Sequence, residues 1–341
     1  MPQFEINDEK VVKAIQDLMS LVGETNDTLE MDLVVQMIQT SLKLYIEKHD
    51  TGQLKLMTRA LKEMRYAYRI FNQYTGSQRI SIFGSARTPE THIDYIAAKA
   101  FSSLMASQGW MCITGGADGI MKAGIEGSER NSSFGLSIKL PFEITTNTVI
   151  AGDPKLIIFR YFFTRKLMFM SHSDAIAVFP GGFGTMDEIF EVLTLMQTGK
   201  TTLLPIVLLE GENGKYWDHW EEYVHKQLLV NGWISKEDLH LYYKAPSIDK
   251  AVEHINKFYQ RYHSQRYVKD YLVIRMKAPL TNDQVAQLNR QFPKLLKSGE
   301  MQLCPPFPEE TDFLNLPRLA FIHNRQNFGT LRALIDQINE F

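Results

Sequence analysis

The stretch that decides the fold is AIAVFPGGFGTMDEIFEVLTLM, residues 175–196. Residues 175–179 form a short apolar run. Gly181, Gly182 and Gly184 follow within five residues, and the segment beyond them has helical apolar spacing. The order is strand, glycine turn, helix. A turn of this kind leaves backbone N–H groups free to face an anion, and the helix dipole adds to the attraction. Yet Asp187 and Glu188 stand in the first turn of the expected helix, where they repel a phosphate bound at the same point. Two readings remain open. Thr185 and Glu188 have the spacing of a capping box, which satisfies the free N–H groups of a first turn. Alternatively, Glu188 meets a part of a ligand remote from its phosphate, such as ribose hydroxyls or a sugar carbon developing positive charge.

Four more apolar runs end in glycine or polar clusters. RISIF (79–83) leads into GSA, WMCIT (110–114) into GGADG, FGLSI (134–138) into KLPFE, and LLPIVLL (203–209) into EGENG. Segments of helical period lie between most of them. Alternating strands and helices predict a parallel sheet covered on both faces, with ligands at the carboxyl ends of the strands. Three glycine loops fall at such ends: 83–86, 114–121 and 179–185.

Outside this core, residues 1–75 carry three stripes with the spacing of one-sided helices: Val11 to Val22, Met31 to Tyr45, and Met57 to Phe71. Residues 265–341 read as a small α/β module. Its strands are expected at 271–278 and 318–324, a helix at 282–296 capped near Asn282 or Asp283, and a second helix at the C-terminus. The expected division is therefore 1–75, 76–264 and 265–341.

Composition narrows the function. The 341 residues carry a formal net charge of −2, so there is no general electrostatic footprint for nucleic acid. Two cysteines, Cys112 and Cys304, make no disulfide framework or metal-binding pair; Cys112 is expected to be a buried small hydrophobe. Without a signal peptide or a span of ~20 apolar residues, the expectation is a cytoplasmic protein without a membrane partner. The chain contains neither G-x-x-x-x-G-K-[ST] nor a strand-terminal G-x-G-x-x-G, which disfavours a Walker NTPase and an NAD enzyme.

Arg165 and Lys166 interrupt the apolar segment FFTRKLMFM (162–170). They read either as a pair snorkelling at a helix surface or as a recognition site for phosphate or a leaving group. His172, Trp217, Trp220 and Trp233 are expected to be structural. Glu143 and Asn147 follow a strand end and read as plain loop residues within reach of a ligand.

PGGFGTMDE fits P-G-G-x-G-T-x-x-E, and TRK stands upstream of it. With GSA and TGGADGIM, the segment from Ile80 to Leu209 resembles the LOG (LONELY GUY) family, often labelled lysine decarboxylase-like, in a longer bacterial branch. The resemblance implies a Rossmann-like fold acting as a dimer or higher homo-oligomer. It implies hydrolysis of the N-glycosidic bond of a nucleoside 5′-monophosphate, without a metal or other cofactor. It places catalysis on Arg165 and Glu188 and phosphate binding on Gly181, Gly182, Gly184 and Thr185. Gly84, Ser85, Gly115, Gly116, Gly119 and Lys166 complete the substrate-binding set. Asp187 stands where many members have Glu, and both terminal regions exceed the short plant-type proteins. AMP or another general monophosphate is therefore expected beside cytokinin nucleotides. Related folds include molybdenum-cofactor carriers, which bind without hydrolysis, and a single-stranded-DNA binder, against which the charge counts.

Overall fold

The structure, a computed structural model, describes residues 9–23, 28–140 and 147–341. The chain divides into two compact units, Met1–Arg65 and Tyr66–Phe341. The first contains α1 (Glu9–Ser20), α2 (Leu29–Ile46) and α3 (Thr51–Phe71) up to Arg65. Thr28 caps α2 through its side chain, yet α2 buries none of its residues.

In the second unit, β1 (Arg79–Phe83), α4 (Ile93–Ser107), β2 (Met111–Thr114), α5 (Ile120–Ser128) and β3 (Ser133–Ile138) alternate as expected, and a further strand, β4 (Leu156–Phe159), follows. They are followed by α6 (Phe162–His172), β5 (Ala175–Val178), α7 (Phe183–Gln197), β6 (Ile206–Leu208), α8 (Tyr216–Tyr223), β7 (Tyr243–Lys244) and α9 (Ile248–Phe258). The seven strands form one sheet in the order β4-β3-β2-β1-β5-β6-β7, and every pairing is parallel. The chain builds outward from β1 to one edge and then restarts at β5 on its other side. The switch point therefore lies between β1 and β5, where a doubly wound sheet opens a crevice beyond its carboxyl ends.

Strand periodicity explains why both faces are covered. Ile80 and Ile82 of β1 pack with Ala175, Ala177 and Val207 against Phe101 of α4 and Ile255 of α9. Phe83, of opposite parity, meets Phe169 of α6 edge-on at 4.9 Å, and Phe134 of β3 stacks on Phe71 at 4.5 Å. Cys112 is buried, as its neighbours suggest. Trp217 and Trp220 are also buried, but Trp233 is 71% exposed and has no packing role.

The chain then forms β8 (Tyr262–Val268), β9 (Tyr271–Met276), α10 (Asn282–Gln291), β10 (Leu296–Cys304), β11 (Arg318–His323) and α11 (Phe328–Glu340). These strands make a second, antiparallel sheet in the order β10-β11-β9-β8. Helix α10 is shorter than its expected span because Pro293 follows within two residues. Its cap is Thr281, one residue before those named above. Thr281 Oγ1 accepts from Gln284 N at 3.3 Å and Gln284 Oε1 accepts from Thr281 N at 2.8 Å, a closed capping box.

Candidate functional site

A cavity of about 790 Å³ opens at the β1–β5 switch point. Its walls come from the loop after β1 (Gly84, Ser85), the loop after β2 (Gly115), the start of α6 (Arg165) and the first turns of α7. Sequence-distant residues meet here because each follows the carboxyl end of a parallel strand.

The glycine loops are not equivalent. At α5, Ile120 N–H donates to Ser85 O at 3.0 Å, so the protein's own backbone already takes up the first N–H of that helix. Gly119 (φ +64°) allows the approach: an added Cβ would lie 2.2 Å from Ser85 O. Gly116 similarly supports its loop, donating to Thr114 Oγ1 at 3.1 Å and accepting from Asn147 N at 3.2 Å. Neither Gly116 nor Gly119 lines the cavity. Helix α7 differs. Like α5 it has a glycine N-cap and no side-chain cap, but here the residues from Gly181 to Glu188 all line the cavity. The Thr185–Glu188 capping box, one of the two readings of this spacing, does not form, because the helix has already begun at Phe183. Thr185 is its third residue and lies buried beneath Gly181, whose added Cβ would meet Thr185 Oγ1 at 2.1 Å.

Glu188 lies on the inward stripe of α7, with Thr185, Ile189, Val192 and Met196. A carboxyl group there loses hydration. Burial pushes its pKa up to about 7; Lys166 and Arg165 pull it down, while Glu191 and Asp187 push it up. Among the described residues, no hydrogen bond is made to its carboxylate. Asp187 is 61% exposed at its side chain and joins Glu191 in holding Lys166 Nζ, each at 2.7 Å. Burial opposes the Lys166 charge, but these two bonds outweigh it and raise its pKa. Lys166 therefore faces a neighbouring groove with Asp187 and Glu191, and does not line the main cavity.

Arg165 does line the cavity. Its Nε–H donates to Leu136 O at 2.7 Å, and its guanidinium lies 5.2 Å from the Phe169 ring centre. Gly115 makes room for it, since a Cβ there would lie 2.5 Å from Arg165 Nη2. His172 is structural in this fold: it stacks on Phe71 at 3.8 Å, and burial lowers its pKa. Glu143 lies outside the described residues. Arg87, Met121, Ser137 and Phe162 also line the cavity and were not singled out from sequence. Arg87, immediately after GSA, was the readable signal; the other three approach only through the fold.

Gly182 and Gly184 offer a test. Neither has a positive φ, and a Cβ on either would meet nothing within 4 Å. The fold itself therefore does not require glycine at these positions. Glycine in the helical position 184 costs about 0.5–1 kcal/mol relative to alanine. Gly184→Ala is expected to keep or raise the thermal midpoint; if the loop holds a phosphate, the added methyl keeps that phosphate from the loop's N–H groups and weakens nucleotide binding at least about tenfold, the value of one lost hydrogen bond to a charged group. Calorimetry beside thermal unfolding checks this. Unchanged affinity would remove the phosphate role of this loop.

Fold and site together define a doubly wound α/β protein with a glycine-capped helix terminus and a buried carboxyl group in one cavity. Residues 113–255 match the family model described as "Possible lysine decarboxylase". The segment includes Arg165 and Glu188. A cytokinin riboside 5′-monophosphate phosphoribohydrolase of Arabidopsis thaliana is 32% identical over 36% of this chain and 54% of its own length. One from Mycobacterium tuberculosis is 26% identical over 43% of this chain and 75% of its own. The chain spans about half the length of the plant relatives cited first among its matches. Among solved structures, a molybdenum cofactor binding protein of Rippkaea orientalis covers 54% of this chain and 98% of its own, with 20% identity and a TM-score of 0.38. Among the described residues, no helix is long and apolar enough to cross a membrane.

Proposed function

We propose that this chain hydrolyses the N-glycosidic bond of nucleoside 5′-monophosphates, with AMP-like and cytokinin riboside monophosphates as the candidate substrates. The observation that carries this reading is Glu188, a carboxyl group with a pKa near 7, standing one turn inside an uncapped helix terminus in the same cavity. The first-turn N–H groups of α7 bind the 5′-phosphate. Glu188, further along the same helix, addresses the ribose.

The carbon–nitrogen bond breaks with its electron pair leaving on the base. Positive charge develops at C1′ and is stabilised by the Glu188 carboxylate. Water adds its oxygen to C1′, and the departing base takes up a proton. The products are free base and ribose 5-phosphate. In its carboxylate form, Glu188 also serves as acceptor for the attacking water's proton. Arg165 supplies fixed positive charge to the phosphate side.

Incubating the protein with AMP, GMP, CMP and isopentenyl-AMP and following free base by chromatography tests the reading. Base release from at least one nucleotide, with none from adenosine under the same conditions, is the expected result. Tight AMP binding without base release from any of the four would instead make the chain a nucleotide binder.

A further inference from the structure

The loop that faces the phosphate is held from behind by a residue outside the family motif. Tyr216, the first residue of α8, donates its hydroxyl hydrogen to Gly181 O at 2.5 Å. Its own N–H donates to Glu210 Oε2 at 2.8 Å. Its ring stands edge-on to Trp217 at 4.9 Å, and buried Trp217 donates through Nε1 to Leu209 O at 2.8 Å. The hydroxyl is thus carried on an anchored ring. Burial raises its pKa above the ordinary tyrosine value, against the effect of the Gly181 bond, so it remains a donor at neutral pH.

The consequence follows from peptide geometry. In a planar trans peptide, the C=O and the next N–H point in opposite directions. Among the described residues there is no cis peptide. Gly181 and Gly182 line the cavity, whereas Tyr216 does not. Fixing Gly181 O on Tyr216 therefore turns the Gly182 N–H away from Tyr216, towards the cavity side. Without the tyrosine bond, two adjacent glycines have wide freedom to rotate this peptide. On the other flank, Ser85 N–H donates to Pro180 O at 3.0 Å, which fixes the preceding peptide.

We infer that Tyr216 is a positioning residue that aims the Gly182 N–H at the substrate phosphate. This rests on the proposed nucleotide reading of the cavity. Tyr216→Phe keeps the ring and its contact with Trp217, removing only the hydroxyl. The test compares AMP with adenosine by calorimetry, using Glu188→Gln and Glu188→Gln/Tyr216→Phe so that no substrate is consumed. The expected result is a roughly three- to tenfold weaker AMP affinity in the double variant, the worth of one neutral hydrogen bond, with adenosine binding unchanged. In the Glu188-containing protein, the same substitution should raise KM more than it lowers kcat. Equal weakening of AMP and adenosine, or no weakening of either, overturns the inference. So does AMP binding no tighter than adenosine, because the loop is then not a phosphate site. AMP that binds with the expected Tyr216 dependence but is never hydrolysed overturns only the enzymatic reading.

Discussion

Glu188→Gln is expected to reduce base release by about 10²–10⁴-fold, the range of a removed acid–base group, with nucleotide still bound. The substitution keeps size and polarity but removes the charge that stabilises C1′ and accepts a proton. In the unsubstituted protein, kcat/KM should rise with pH through about 7 as the buried carboxyl group ionises. Stability should move the other way. Since the folded-state pKa lies above that of the unfolded chain, the folded protein binds more protons between roughly pH 4.3 and 7. Its stability therefore falls as pH rises through that window. Gln at 188 escapes this cost, so the variant should unfold at a higher temperature than the parent at pH 8 and show little gain at pH 4. A simple helix-capping role predicts no such gain. Base release rates across pH, together with melting curves at pH 4 and 8, check both signs. Retention of more than about a tenth of the activity by Glu188→Gln would sink the catalytic assignment, given the usual size of such effects.

The interior of the large sheet was readable because its inner strands are buried on both faces. RISIF, WMCIT, FGLSI and AIAVF therefore appear as continuous apolar runs. The edges were silent. β4 leaves Ile158 53% exposed, and β7 has only two residues. In the second sheet, β8 and β10 are also edges; β10 is mostly exposed and its pairing with β11 shifts register. Half-wet strands lack the apolar signature on which the reading depended. At the site, Arg165, Glu188 and the α7 glycines are brought to one cavity. The ambiguity at Glu188 was real at the level of spacing, since Thr185 and Glu188 satisfy a capping pattern and the inward stripe equally well. The start of α7 at Phe183 separates the two, and helix starts are poorly marked when the cap is glycine. The division of labour among the glycines was hidden too. That a side chain at 119 would collide with Ser85 O, while one at 184 would meet nothing, depends on which loops the parallel sheet sets side by side.

Glu310→Gln should lower the stability of the second unit by about 3–5 kcal/mol, the cost of breaking a buried ion pair from one side. Glu310 lies midway along the connection between β10 and β11, and its side chain is fully buried. Its Oε1 accepts from Arg275 Nε at 3.0 Å and Nη2 at 2.6 Å. Its Oε2 accepts from Arg318 Nε at 2.9 Å and Phe307 N at 3.1 Å. One carboxylate thus pins the connection to β9 and β11 and is the shared counter-ion of two nearly inaccessible guanidinium groups. Glutamine leaves both charges buried without a counter-ion. Burial by itself raises the Glu310 pKa, but the bonds from Arg318, Arg275 and Phe307 outweigh it and hold it down at about 2. Because the folded value lies below the unfolded one, the contribution is fully present above about pH 4.5 and is lost as pH falls towards 2. At pH 7 the melting temperature of Glu310→Gln should fall by on the order of 10 °C for a unit of this size. By pH 2 the gap to the parent should narrow. Glu309→Gln is the control: Glu309 pairs with Lys269 at the surface, where such contacts contribute about 0–1 kcal/mol. Equal melting temperatures for the two variants at pH 7 would show that the buried triad does not hold this sheet together.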